Sequence, residues 1–173
     1  MKSQTIVVLF LAAFVALTAD GQLSSQNQEP PQETQARGYW VDPATGLMWA
    51  GKDNGKDVSW KKAIKFCRDL RLAGYSDWRL ANIGELGYIY DPKAESPGLA
   101  GMHDDEPIMW HVKGNLFLTG HQWSSTERLD DRERPSGYVF FFNFNEGSAD
   151  EDPTGFLYPF TFRRALCVRG TGA

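Results

Sequence analysis

Two cysteines, Cys67 and Cys167, stand 100 residues apart in a 173-residue chain whose opening reads as an export signal. Export delivers thiols into an oxidising space, and no third cysteine competes, so the economical reading is a single Cys67–Cys167 disulfide. Closing a loop of that length restricts the unfolded ensemble by about 4–5 kcal/mol in the chain-entropy picture. Two inert buried thiols are the bland alternative and a reactive nucleophile the sharper one, although no histidine lies at a fixed spacing from either cysteine.

The export reading rests on residues 1–21. One cation, Lys2, precedes an apolar run from Ile6 to Leu17. That run is shorter than the roughly 20 residues a bilayer span needs. Small residues at Ala19 and Gly21 suit a signal peptidase, with cleavage expected after Gly21 and after Ala19 as second choice. An uncleaved anchor is the rival; after cleavage no span is expected. Residues 22–37 are rich in Gln, Glu, Pro and Ser and nearly free of large apolar groups, so they read as a disordered polar linker. The folded unit is then 38–173, where 16 Lys and Arg face 19 Asp and Glu, a net charge of -3. That mild acidity argues against a nucleic-acid partner, whose binder normally carries a basic excess.

Within the folded unit, Tyr39–Val41 and Leu47–Ala50 flank Asp42-Pro43-Ala44-Thr45-Gly46 and predict a hairpin, with Gly46 taking the positive φ that leads into the second strand. From a Ser59 N-cap, Trp60, Ala63, Ile64, Cys67 and Leu70 recur at helical spacing, which predicts an amphipathic helix to about Leu72 with Lys61, Lys62, Lys65 and Arg68 outside. Asn82 with Glu85 three residues on reads as a capping box opening a second, shorter helix. Asp91 to Gly120 reads as a long loop region, where binding residues would concentrate. Tyr138 to Phe144 alternates as a central strand turned by Asn145–Ser148, and Phe160–Arg169 supplies one or two more. The expected class is α+β, two helices packed on short antiparallel strands with that loop region.

Several blocks in this order are distinctive: Asp42-Pro43-Ala44-Thr45-Gly46-Leu47-Met48-Trp49; Ser59-Trp60 with Ala63 and Cys67; Ala73-Gly74-Tyr75-Ser76-Asp77-Trp78-Arg79-Leu80 with Glu85-Leu86; Gln122-Trp123-Ser124-Ser125-Thr126; and Cys167-Val168-Arg169-Gly170. They resemble the Lcl C-terminal domain family across essentially all of Tyr39 to Gly170. The resemblance implies a C-type-lectin-like fold in bacterial surface or secreted proteins, and a relation to an adhesin domain that is trimeric and binds sulfated glycans. It also marks Trp49, Trp78, Arg79, Glu85 and Trp123 as motif residues. Aromatics at such positions are more often core than sugar platforms, and Arg79 needs several acceptors, with Asp77 and Glu85 nearby.

Candidate ligand-binding residues lie elsewhere. Trp110 and His111, in the long loop, suit stacking on a sugar ring. Arg128, Arg132, Arg163 and Arg164, with Arg134 and Arg169, would grip sulfates if they met on one face. Asp104, Asp105 and Glu106 are weak calcium candidates, as are Asp150, Glu151 and Asp152; an acidic run is more often simply solvated, and no other cofactor is implied. There is no Gly-x-Ser-x-Gly, phosphate loop or His-Glu-x-x-His, so an enzyme is not expected. The function expected is an exported, non-catalytic module recognising glycans, sulfated polysaccharides or other surface or matrix polymers, located in the periplasm, on the cell surface or outside. The alternative is a structural or protein-interaction domain of the envelope without a sugar ligand. The oligomeric state stays open.

Overall fold

The computed structural model describes residues 31–99, 107–155 and 162–171. The elements run α1 (Pro31–Arg37), β1 (Tyr39–Val41), β2 (Met48–Ala50), α2 (Trp60–Asp69), β3 (Arg79–Leu80), α3 (Ile83–Tyr88), β4 (Ser96–Leu99), β5 (Pro107–Trp110), a 3-10 turn (Lys113–Asn115), β6 (His121–Leu129), β7 (Pro135–Asn143), β8 (Ser148–Pro153), β9 (Arg163–Arg164) and β10 (Cys167–Arg169). They build one sheet in the order β1-β2-β10-β3, a second in the order β8-β7-β6-β9, and the ribbon β4-β5. All pairings are antiparallel except β6 with β9. The class is α+β, as the sequence predicts.

Local chemistry explains the early elements. Asp42 closes the β1–β2 turn by accepting from Thr45 Oγ1 at 2.6 Å and Ala44 N at 3.2 Å, and Gly46 has φ +69°. In α2, Trp60, Ala63 and Cys67 are buried. Ser59 holds the N-cap position, but its side chain makes no capping bond. The helix stops at Asp69 instead of Leu72, because the backbone is already extended at Leu70 (ψ 135°); beyond it Ala73 (φ 54°) and Gly74 (φ 80°) wind a left-handed turn that pairs Leu72 with Tyr75. The α3 capping box is complete: Asn82 accepts from Glu85 N, and Glu85 accepts from Asn82 N, both at 2.8 Å.

Two further expectations need correction. Residues 22–37 are not all linker, because Pro31–Arg37 forms α1. Thr34 on it is fully buried, and Gln35 donates to the carbonyls of Gly51 (3.3 Å) and Asn115 (3.0 Å). Residues 1–30, which carry the expected export signal, lie outside the described residues. Asp91–Gly120 is not one loop either; it holds β4, β5 and the 3-10 turn. Gly114 in that turn has φ 73°, and a Cβ there would stand 2.1 Å from the Trp40 ring, so this chain segment can lie flat on the core only as glycine.

The core forms two apolar clusters. One gathers Trp40, Trp49, Leu86, Ile89, Trp110, Leu116, Leu118, Phe144 and Leu166. The other gathers Trp60, Ala63, Cys67, Trp78, Leu80, Trp123, Val139, Phe141 and Cys167. Cys67 and Cys167 are joined in a disulfide inside the second cluster, with Cα atoms 5.3 Å apart. The bond fixes α2 to β10, the strand lying between β2 and β3. It ties the buried face of α2 to the sheet and leaves the opposite face to solvent.

Candidate functional site

The outer face of α2 concentrates positive charge. Between Lys52 and Arg71 stand seven Lys and Arg against three Asp, a net +4 in a folded unit of net -3. All seven cationic residues are exposed. The three carboxylates are already engaged. Asp69 pairs with Lys65 and lies 3.6 Å from Arg68. Asp57 accepts from the buried Arg164. Asp53, 5% exposed, accepts from Gly55 N, Thr119 Oγ1 and Gln122 Nε2 at 2.9 Å each and from Thr119 N at 2.7 Å. Burial pushes the Asp53 carboxyl up from its ordinary range, against the pull of those four bonds. Lys61 and Lys62 therefore face solvent on a helix whose acidic neighbours are committed elsewhere.

Beside this face lies a pocket of about 230 Å³. Its walls come from three elements: Gln35 and Gly38 at the end of α1, Ala50 to Asp53 leaving β2, and Phe66, Leu70 and Leu72 at the end of α2. Phe66 is 38% exposed, an aromatic ring open to water one turn beyond Lys62. Gly51 is where the walls meet: a Cβ on it would stand 2.9 Å from the Gly38 carbonyl carbon and 3.2 Å from Thr34 O. A side chain at 51 would push α1 away and open the pocket.

The residues predicted as ligand contacts are placed differently. Trp110 is no stacking platform: it is 2% exposed, in the first core cluster, edge-on to His121 at 6.2 Å. Its burial comes from β4 and β5, which a loop reading of the segment does not contain. His111 is half-buried, with Nδ1 2.9 Å from Ala94 O and its ring edge-on to Tyr90. Carboxylates pair with most of the candidate arginines one by one. Arg128 pairs with Glu151, Arg134 with Asp130 and Arg169 with Asp77. Arg163 donates to Asp152 at 2.8 Å and lies 3.4 Å over the Phe141 ring. Arg164 is 4% exposed and bonds Thr119 Oγ1 at 2.8 Å. Arg132 is exposed at the β6–β7 end, its backbone N–H donating to Asp130.

The motif residues behave as architecture. Trp49, Trp78 and Trp123 are buried. Trp123 Nε1 donates to Val58 O at 2.7 Å. Arg79 makes a two-pronged contact with Glu85 at 2.8 and 2.6 Å and reaches Gly170 O at 3.1 Å. Asp77, the other acceptor expected for it, takes Arg169 instead. Asp104, Asp105 and Glu106 lie outside the described residues. Asp150, Glu151 and Asp152 fall on β8, where two of them are spent on arginines. Among the described residues no group of three or more His, Cys, Asp or Glu is placed to hold a metal ion, and no helix is long and apolar enough to cross a membrane.

Sequence reasoning passed over Lys52, Lys61, Lys62, Gln35 and Phe66. Two signals were present: the unequal charge of residues 52–71, and Phe66 standing off the apolar stripe of its own helix. A family model described as the Lcl C-terminal domain matches residues 38–163. No curated protein matches the chain.

Proposed function

Because this chain belongs to the Lcl C-terminal domain family, we propose that it is an exported, non-catalytic, C-type-lectin-like module that recognises acidic glycans of surface or matrix polymers. The observation that carries this reading is the basic segment 52–71, where seven exposed cationic residues, four of them (Lys61, Lys62, Lys65 and Arg68) on α2 itself, face three carboxylates that are all engaged. Like charges held on one rigid face attract a polyanion as an array, and binding by counterion release weakens steeply with salt. Arg128, Arg134, Arg163, Arg164 and Arg169 contribute little, since each already has a carboxylate partner.

Heparin chromatography and a glycan array, each run with calcium and with a chelator, test the proposal. Wild type is retained on sulfated or uronic glycans, and Lys61→Gln with Lys62→Gln elutes at clearly lower salt. Chelation leaves retention unchanged, since no metal takes part in this reading; loss on chelation would favour the acidic run at Asp104, Asp105 and Glu106 instead. A wild type that retains no glycan under either condition leaves the envelope structural or protein-interaction role standing.

A further inference from the structure

Glycan recognition through the α2 face would by itself read only charge density, which any polyanion supplies. The pocket beside it has the features that discriminate. At about 230 Å³ it is smaller than the roughly 300–1,000 Å³ of a drug-sized site, so it admits one ring and not an oligosaccharide. One wall is apolar, formed by the open ring of Phe66 with Leu70 and Leu72. The opposite wall is polar: Gln35 spends its side-chain N–H groups on the Gly51 and Asn115 carbonyls, which leaves its oxygen as an acceptor. A pyranose ring has the same division, with a C–H face on one side and hydroxyls around its edge. Of the two charged lining residues Asp53 is buried and held by four donors, while Lys52 is exposed, so the charge a ligand meets from solvent is the Lys52 ammonium, which attracts an acidic substituent.

Building on the acidic-glycan reading above, we propose that the α1–β2–α2 pocket is a subsite for a single uronic or sulfated pyranose, seated with its C–H face on Phe66 and its anionic group toward Lys52. The α2 lysines then hold the polymer, and the pocket selects which ring of it is read. α1 lies outside the segment matched by the family model, yet it supplies one wall of the subsite.

The test uses the full chain and two probes. In the first, methyl β-glucuronide is titrated while backbone amide shifts are followed. Shifts should centre on Gly38, Gly51 and Phe66, and methyl β-glucoside should bind more weakly, a difference that Lys52→Gln removes. In the second, heparin hexasaccharide affinity is measured against salt. Phe66→Ala should weaken binding about tenfold, the scale of one aromatic contact, with the salt slope unchanged; Phe66→Tyr should restore it. Lys61→Gln with Lys62→Gln should flatten the slope instead. Heparin binding by Phe66→Ala equal to wild type, or glucuronide shifts confined to other surfaces, overturns the subsite while leaving the polymer reading intact. Shifts from benzoate with none from glucuronide also overturn it and assign the pocket to an aromatic side chain of a protein partner. Absence of heparin binding by wild type overturns the polymer reading itself.

Discussion

Arg79 joins three parts of the chain: its own strand, the α3 capping box through Glu85, and the C-terminal end through Gly170 O. A planar fork makes both Glu85 contacts together, which an ammonium cannot. Arg79→Lys should lower stability by about 1–2 kcal/mol, seen as a lower thermal midpoint, since two charge-assisted bonds become one; an unchanged midpoint refutes the role. Burial pushes the Glu85 carboxyl up, but the Arg79 fork and the Asn82 N–H outweigh it and hold it below its ordinary range. A lowered folded-state value means the contribution is fully present above the unfolded value and lost as pH falls through the lowered one. The stability gap between wild type and Glu85→Gln should therefore be constant near neutral pH and close in acid, because a protonated Glu85 resembles glutamine. A gap that widens in acid would contradict the assignment. The Arg79–Glu85 pair was legible from the sequence, because the two stand six residues apart, whereas the Gly170 contact 91 residues away was not. Trp110 was not, since its burial depends on strand pairing and on packing against His121.

α1 shows the same division among elements. Its sequence, Pro-Gln-Glu-Thr-Gln-Ala-Arg, has no apolar stripe, and a seven-residue helix is not stable alone. It is held by contacts invisible to local pattern: Thr34 buried against the Gly51 backbone, and Gln35 reaching residues 16 and 80 positions away. By contrast α2 and α3 were readable because periodicity and capping lie within each helix, and β7 because its alternation and turn are contiguous, whereas its partner β8, an acidic stretch without apolar alternation, was not. Gly51→Ala tests the docking of α1. The added methyl meets the Gly38 and Thr34 backbone, which has no flexible end to yield, so α1 should lift while both apolar clusters stay packed. Trypsin should then cut after Arg37 faster than in wild type, with little change in the cooperative unfolding of the remainder. Equal cleavage rates would mean that α1 tolerates the methyl where it lies.

Across the whole molecule, two long-range features cooperate: the Cys67–Cys167 bond, and the separation of the basic α2 face from an otherwise acidic unit. The bond was legible because two cysteines, in a chain expected to be exported, leave one pairing. The charge separation was hidden by the net value, in which the seven cations of residues 52–71 are outnumbered by acids elsewhere. Geometry links the two, because the sulfur bridge ties the buried side of α2 to a strand placed between two others, and the opposite side carries the lysines. Substituting both cysteines by alanine removes the cross-link and introduces no polar atom into the apolar cluster around it. Equilibrium urea unfolding should then show a loss of about 4 kcal/mol, the entropy released by opening a 100-residue loop, with some further loss from the missing sulfur packing. The urea dependence should also steepen, because an unfolded chain freed of its cross-link exposes more surface. A loss below about 1 kcal/mol with an unchanged slope would mean the unfolded chain is already compact enough for the bond to restrict nothing, and α2 would then owe its position to packing alone.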